Sequence, residues 1–183
     1  VAIYIPRHQT QVNAADPNGR YNCTAYAAAM AIDAATLGGC VPSGANVRAL
    51  SDEPVPSPQS PGLNVPQVCA VAARLHVTLT DRSGFGVQRL VEWVEAGHAA
   101  VVQVDRTTLG NYLCSASIDV PHAVLVLDFS PGRSSLVFDP LCTAPKWVPP
   151  DVLQQAAVDF GAQTGLREGA IRFAVTRHIP RIL

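Results

Sequence analysis

Apolar residues recur along this chain at two different spacings, and the change between them divides it. In the first half they return every three or four positions. In "CTAYAAAMAIDAAT" the helical spacing of Tyr26, Ala29, Met30 and Leu37, with polar Asp33 among them, predicts a helix from Cys23 to about Leu37. Asn22 is placed to cap it, and Gly38-Gly39 to stop it. The stretch before it opens as a short strand, "VAIYIP", and continues through the turn-rich "AADPNGRYN". Residues 40–62 hold five prolines and read as a surface excursion with a helical turn at "GANVRALSD". Asn64 with Pro66 signals a second helix through "QVCAVAARLH". "GFGVQRLVEWVEAGH" gives a third, with Val87, Leu90, Val91 and Val94 on one face.

After Gly97 the pattern turns short and β-branched. "AAVVQVD" (99–105), "HAVLVLDF" (122–129) and "SLVFDP" (135–140) read as strands, the last two joined through "SPGRS" as a hairpin. "PPDVLQQAAVDFGAQ" restores a helix with Pro at its start, and "AIRFAVTRHI" ends as a strand. Helices first and an antiparallel sheet afterwards predict an α+β fold. At 183 residues the expectation is one domain.

Composition narrows the function classes. The chain is 48% hydrophobic and 15% charged, with a formal net charge of −1. That balance argues against nucleic acid and anionic membrane surfaces as partners. No apolar run approaches the ~18 residues of a membrane span, and "VAIYIPRHQT" has no secretory-signal pattern. Lys146 is the sole Lys against twelve Arg, which suggests a high-GC source. Five cysteines, without Cys-x-x-Cys spacing, argue against a structural zinc site, and neither metal nor cofactor is expected.

Cys23 stands at the mouth of a helix, where unpaired N–H groups and the helix dipole favour a thiolate. A small core cysteine would occupy the same place. The partners that favour chemistry lie downstream. His122 opens one strand of the hairpin and Asp139 closes the other, so the chain reversal brings both to one sheet edge. There a carboxylate can fix the imidazole tautomer while the other ring nitrogen faces a thiol.

Taken in the order Cys, His, Asp, "NCTAYAAAMA" and "HAVLVLDF…LVFDP" resemble the papain-like cysteine peptidases, in particular the bacteriocin-processing (double-glycine leader) branch. The resemblance runs from about residue 5 to 178. It implies a papain-like fold with N-terminal helices packed on a C-terminal antiparallel sheet, Cys23 as nucleophile, His122 as base and Asp139 as orienter. It also implies a Gln before the Cys as oxyanion donor, for which Gln11 and Gln9 are the candidates. Gln11 stands about twice the usual distance from the Cys, with "DPNGR" as the insertion between.

Thr24 opens a rival reading. "NCTAYA" also resembles the start of CHAP amidases and endopeptidases that cut peptidoglycan, in which His98 of "AGHAAVVQV" would be the base and Asp105 its partner. A third reading keeps the fold as a non-catalytic module in a larger assembly such as a virion. The expected substrate is a peptide or a peptidoglycan stem peptide, in an extracellular or virion-associated setting, phage-borne or secreted, rather than the cytoplasm. His76 is expected at a helix C-terminus, Trp93 in core packing and Trp147 at a sheet edge or lining the substrate groove. The loops 106–121 and 141–150 flank the site, and a Cys114–Cys142 disulfide would rigidify both. Cys40–Cys69 would be the second pair.

Overall fold

The computed structural model describes residues 4–12, 21–54, 62–112, 122–128 and 135–179. Its central element is helix α1 (Cys23–Thr36), in which thirteen of fourteen residues are buried. A helix apolar on every side belongs inside a protein, and the run of alanines lets neighbouring elements approach it closely. Asn22 precedes α1 without a side-chain capping bond, contrary to expectation, because its backbone is not extended as a capping residue's is (φ −107°, ψ 20°). The helix ends where Leu37 turns left-handed (φ 51°) and Gly38 donates back to the Asp33 carbonyl.

Helix α2 (Gly44–Ala49) packs across α1, and Gly44 makes that possible. A Cβ there would fall 2.2 Å from the Tyr26 ring. Helix α3 (Val65–Arg74) starts in a reciprocal capping box between Asn64 and Gln67. It stops with His76 in the left-handed region (φ 57°). Helices α4 (Val87–Glu95), α5 (Arg106–Leu109) and α6 (Pro150–Gln163) complete the helical set.

Six strands form one sheet: β1 (Leu79–Asp81), β2 (Ala100–Val104), β3 (His122–Asp128), β4 (Ser135–Phe138), β5 (Lys146–Val148) and β6 (Phe173–Thr176). Their order is β1-β6-β2-β3-β4-β5, and every neighbouring pair is antiparallel. The α+β expectation holds, as does the β3–β4 hairpin. Helices cover both faces, however. Val101, Ala123 and Leu125 pack with α1 and α3, while Val102, Val124 and Val126 pack with α4 and α6. This is the two-residue alternation of a strand with both sides buried.

The opening segment corrects the sequence reading. "YIP" is not a strand; residues 4–11 run as a strap along α1. Buried Asp33 accepts from Tyr4 Oη at 2.9 Å and from the Arg7 amide at 2.6 Å. Gln9 bonds the Pro42 carbonyl and receives the Gly44 amide at the start of α2. His8 reaches the Cys142 carbonyl at 2.8 Å, and the Gln11 amide donates to the Pro140 carbonyl at 2.7 Å. The strap thus joins α1 and α2 to the chain leaving β4. Its backbone groups find partners outside the sheet, which is why it forms no strand.

Trp93 packs between Phe85 and Phe173, with ring centroids 5.8 Å apart in each case and the Arg82 guanidinium over its ring. Trp147 sits on edge strand β5, 57% exposed. No helix among the described residues is long and apolar enough to cross a membrane.

Candidate active site

Three elements place the site. Cys23 is the first residue of α1, and no acidic residue in that helix's first turn opposes the positive end of its dipole. His122 begins β3, paired with Val104 at the end of β2. Asp139 follows β4 directly.

His122 Nε2 lies 2.7 Å from Asp139 Oδ1, and both side chains are 2% exposed. The same carboxylate oxygen accepts the Leu141 amide at 2.8 Å, so the turn after β4 holds it in place. With Nε2 engaged, Nδ1 is the nitrogen left for the thiol, and Cys23 and His122 share a side-chain hydrogen bond. The Thr24 hydroxyl, 3.9 Å from Cys23 Sγ, and the Ala123 amide also support the sulfur.

The charges follow from these contacts. Burial opposes ionisation of Cys23, but the hydrogen bond and charge of His122 outweigh it, and the thiol pKa is lowered. Burial likewise disfavours an imidazolium at His122. Asp139, and Cys23 after it, more than offset this and raise the ring to about 9. Asp139 is held below its ordinary value against burial, by His122 first and by the Leu141 amide and Arg106 as well. The three groups therefore favour a thiolate–imidazolium pair backed by a carboxylate.

Cys23 and Thr24 open onto a cleft of about 410 Å³. Gly62, Leu63 and Val65 line one part of it, and Gln103, Phe160 and Arg172 another. That size suits a small ligand or a few side chains of a longer one.

No protein-family model matches the chain, and no curated protein matches it in sequence. Solved structures do match. A protein from Bacillus anthracis assigned as a C39-like peptidase superposes with a TM-score of 0.67 at 15% identity, over 96% of each chain. The peptidase domain of Streptococcus ComA, a bifunctional ABC transporter of a quorum-sensing pathway, gives 0.57 at 14% identity, over 92% of this chain and 95% of that one. This chain has the papain-like fold of the C39-like peptidases. At such identities the likeness is one of fold.

Within the papain-like fold the structure separates the rival residues. His98 is not near Cys23. It precedes β2 at the end away from His122, roughly 20 Å along the strand at ~3.3 Å per residue. Its Nδ1 lies 2.6 Å from the Thr176 carbonyl, and its ring meets His178 edge-on. Asp105 caps α5 through Thr108 and receives Gln163. Both residues serve structural roles, which removes the geometric basis of the amidase reading. Gln9 is likewise committed to α2. Gln11 is 1% exposed, and its backbone amide is bonded to Pro140, the residue after Asp139.

The expected disulfides divide. Cys142 is disulfide-bonded, and its expected partner Cys114 lies outside the described residues, as does most of the loop before His122. The Cys142 sulfur rests 3.6 Å from Asp139 Oδ2. Cys40 and Cys69 are free thiols, so the second expected pair does not form. Cys69 instead faces Asp81 of β1, where burial and then that charge push its pKa up to about 12.

Sequence reasoning missed the cleft's outer residues, Gln103, Phe160, Thr164 and Arg172. They come from separate elements and share no spacing that would reveal them. Trp147, a candidate for the groove, is not among the lining residues.

Proposed function

We propose that this chain is a cysteine peptidase, working as a single domain, with Cys23 as nucleophile and His122 as general acid and base. Asp139 orients His122. The observation that carries this reading is the buried relay from Cys23 through His122 to Asp139, opening onto a cleft. The papain-like fold supports it, since the neighbours are described as peptidases.

The Cys23 thiolate attacks the carbonyl carbon of a bound peptide bond. The resulting oxyanion takes hydrogen bonds from the Cys23 amide at the start of α1 and from the Gln11 carboxamide. His122, as imidazolium, gives its proton to the departing nitrogen as the C–N bond breaks, leaving a thioester on Cys23. Neutral His122 then removes a proton from water, which attacks the thioester. The acid product leaves, and the thiolate–imidazolium pair is restored.

Iodoacetamide at neutral pH tests the reading directly. Cys23 is expected to react much faster than Cys40 and Cys69. Equal, slow labelling of all three favours a non-catalytic module in an assembly. Digestion of casein against purified peptidoglycan, with Cys23→Ala as control, then separates a protein substrate from a cell-wall stem peptide.

A further inference from the structure

The cleft that begins at Cys23 is not neutral along its length. Of the described residues lining it, Cys23 and Arg172 are the two that ionise. They come from separate elements. Cys23 begins α1, and Arg172 immediately precedes β6 and is bonded to Thr164 at the end of α6, while Gln103 of β2 also lines the cleft. The Gln103 amide donates to the Arg172 carbonyl at 3.0 Å, so the Arg172 backbone is fixed to the edge over which the cleft passes.

The guanidinium is oriented as well. Arg172 Nε donates to Thr164 Oγ1 at 2.8 Å, and Nη2 donates to the Thr164 carbonyl at 3.0 Å. A guanidinium has five N–H groups, and these bonds use two. Among the described residues no carboxylate lies within ion-pair distance of Arg172. The carboxylates of the flanking elements are taken up elsewhere: Asp105 by Thr108 and Gln163, Asp159 by Thr108 and Gln155. A capping role at the C-terminus of α6 accounts for the two bonds to Thr164. It does not account for a half-buried cation with donors to spare in the wall of a cleft.

We infer that Arg172 is a specificity residue, and that the cleft takes peptides carrying a carboxylate there, with an apolar neighbour against Phe160 or Leu63. This rests on the peptidase reading above and names its substrate class. Arginine suits the role because its planar fork can grip both oxygens of a carboxylate. The carboxylate has two sources, an acidic side chain or a peptide's own C-terminus.

The test uses synthetic peptides with one Glu, Gln or Lys at successive positions around a common apolar core. Each is made with a free and with an amidated C-terminus, and kcat/KM is followed by mass spectrometry. At one position Glu is expected to exceed Gln by about tenfold or more, and Lys by a wider margin. If the free C-terminus carries the preference instead, amidation removes it. Arg172→Gln should erase the preference, so that the Glu and Gln peptides are cleaved with the same kcat/KM. Arg172→Lys should keep part of it, and Arg172→Glu should favour Lys. Melting temperatures of the variants separate a loss of the α6 cap from a loss of recognition.

A preference that survives in Arg172→Gln overturns the assignment, as does equal cleavage of Glu, Gln and Lys peptides. No cleavage of any peptide while iodoacetamide still labels Cys23 rapidly also counts against it. No cleavage with Cys23 labelled as slowly as Cys69 overturns the peptidase reading itself.

Discussion

Cys23 and Cys69 are the same side chain in two neighbouring helices that pack against one core, and their chemistry is opposite. Cys69 lies within α3 facing Asp81, and burial with a like-signed neighbour pushes its thiol up to about 12. Cys23 is the more deeply buried, yet its pKa is lowered, because it starts a helix and meets His122. Burial alone therefore does not make a cysteine inert. The group facing the sulfur decides, and that group is set by which strand end the fold brings to which helix end.

The largest effect should come from deleting each sulfur in turn. Cys23→Ala is expected to lower kcat/KM on a cleaved peptide by ~10⁴-fold or more. Cys69→Ala should leave it unchanged and cost about 1 kcal/mol of stability in urea unfolding. Comparable losses in both variants would mean that the contrast between the two thiols is not catalytic. Next is Gln11→Ala, expected to reduce kcat by roughly 10²-fold with KM little altered, as loss of one oxyanion donor does. An unchanged kcat would remove Gln11 from the site.

His122→Ala should slow iodoacetamide labelling of Cys23 at pH 7 by about tenfold, since the imidazolium that favours the thiolate is gone. The pH profile sharpens the same point. In the proposed mechanism protonated His122 is the acid that expels the amine, and its pKa is raised to about 9. Activity is then sustained through neutral pH and falls as pH rises through about 9, while Cys23 labelling does not fall with it. The smallest effect tests the other thiol. Asp81→Asn removes a negative charge from beside Cys69 and should speed its labelling by a factor of about two to five, burial still opposing ionisation.

The His122–Asp139 pair was legible in the sequence because a hairpin imposes it. Once two strands reverse, the first residue of one and the residue after the other share an edge. The helical run behind Cys23 was legible for a similar local reason. What escaped were features decided by distant partners. "YIP" has strand-like composition, but Asp33 takes its Tyr4 hydroxyl and the Arg7 amide, and the segment lies on a helix instead. Strands β1 and β5 are only three residues each, too short for alternation to show. Nothing in the periods of α4 and α6 says that they cover the opposite face from α1. Counting cysteines suggested a Cys40–Cys69 pair, although both are free thiols. Arg172 had no sequence signal at all, because its place in the cleft wall comes from elements far apart in the chain.

The strap of residues 4–11 also bears on when the protein becomes competent. Its contacts span the chain: His8 meets Cys142, 134 positions later, and Gln11 meets Pro140. A ribosome releases the strap and Cys23 more than a hundred residues before Asp139 and its anchoring turn. Contacts that far apart form late, because the long intervening loop must close first. During synthesis Cys23 therefore leaves the ribosome without the carboxylate that orients its base. If the protein is the peptidase proposed above, the nascent chain folds its first helices before it can cut other polypeptides.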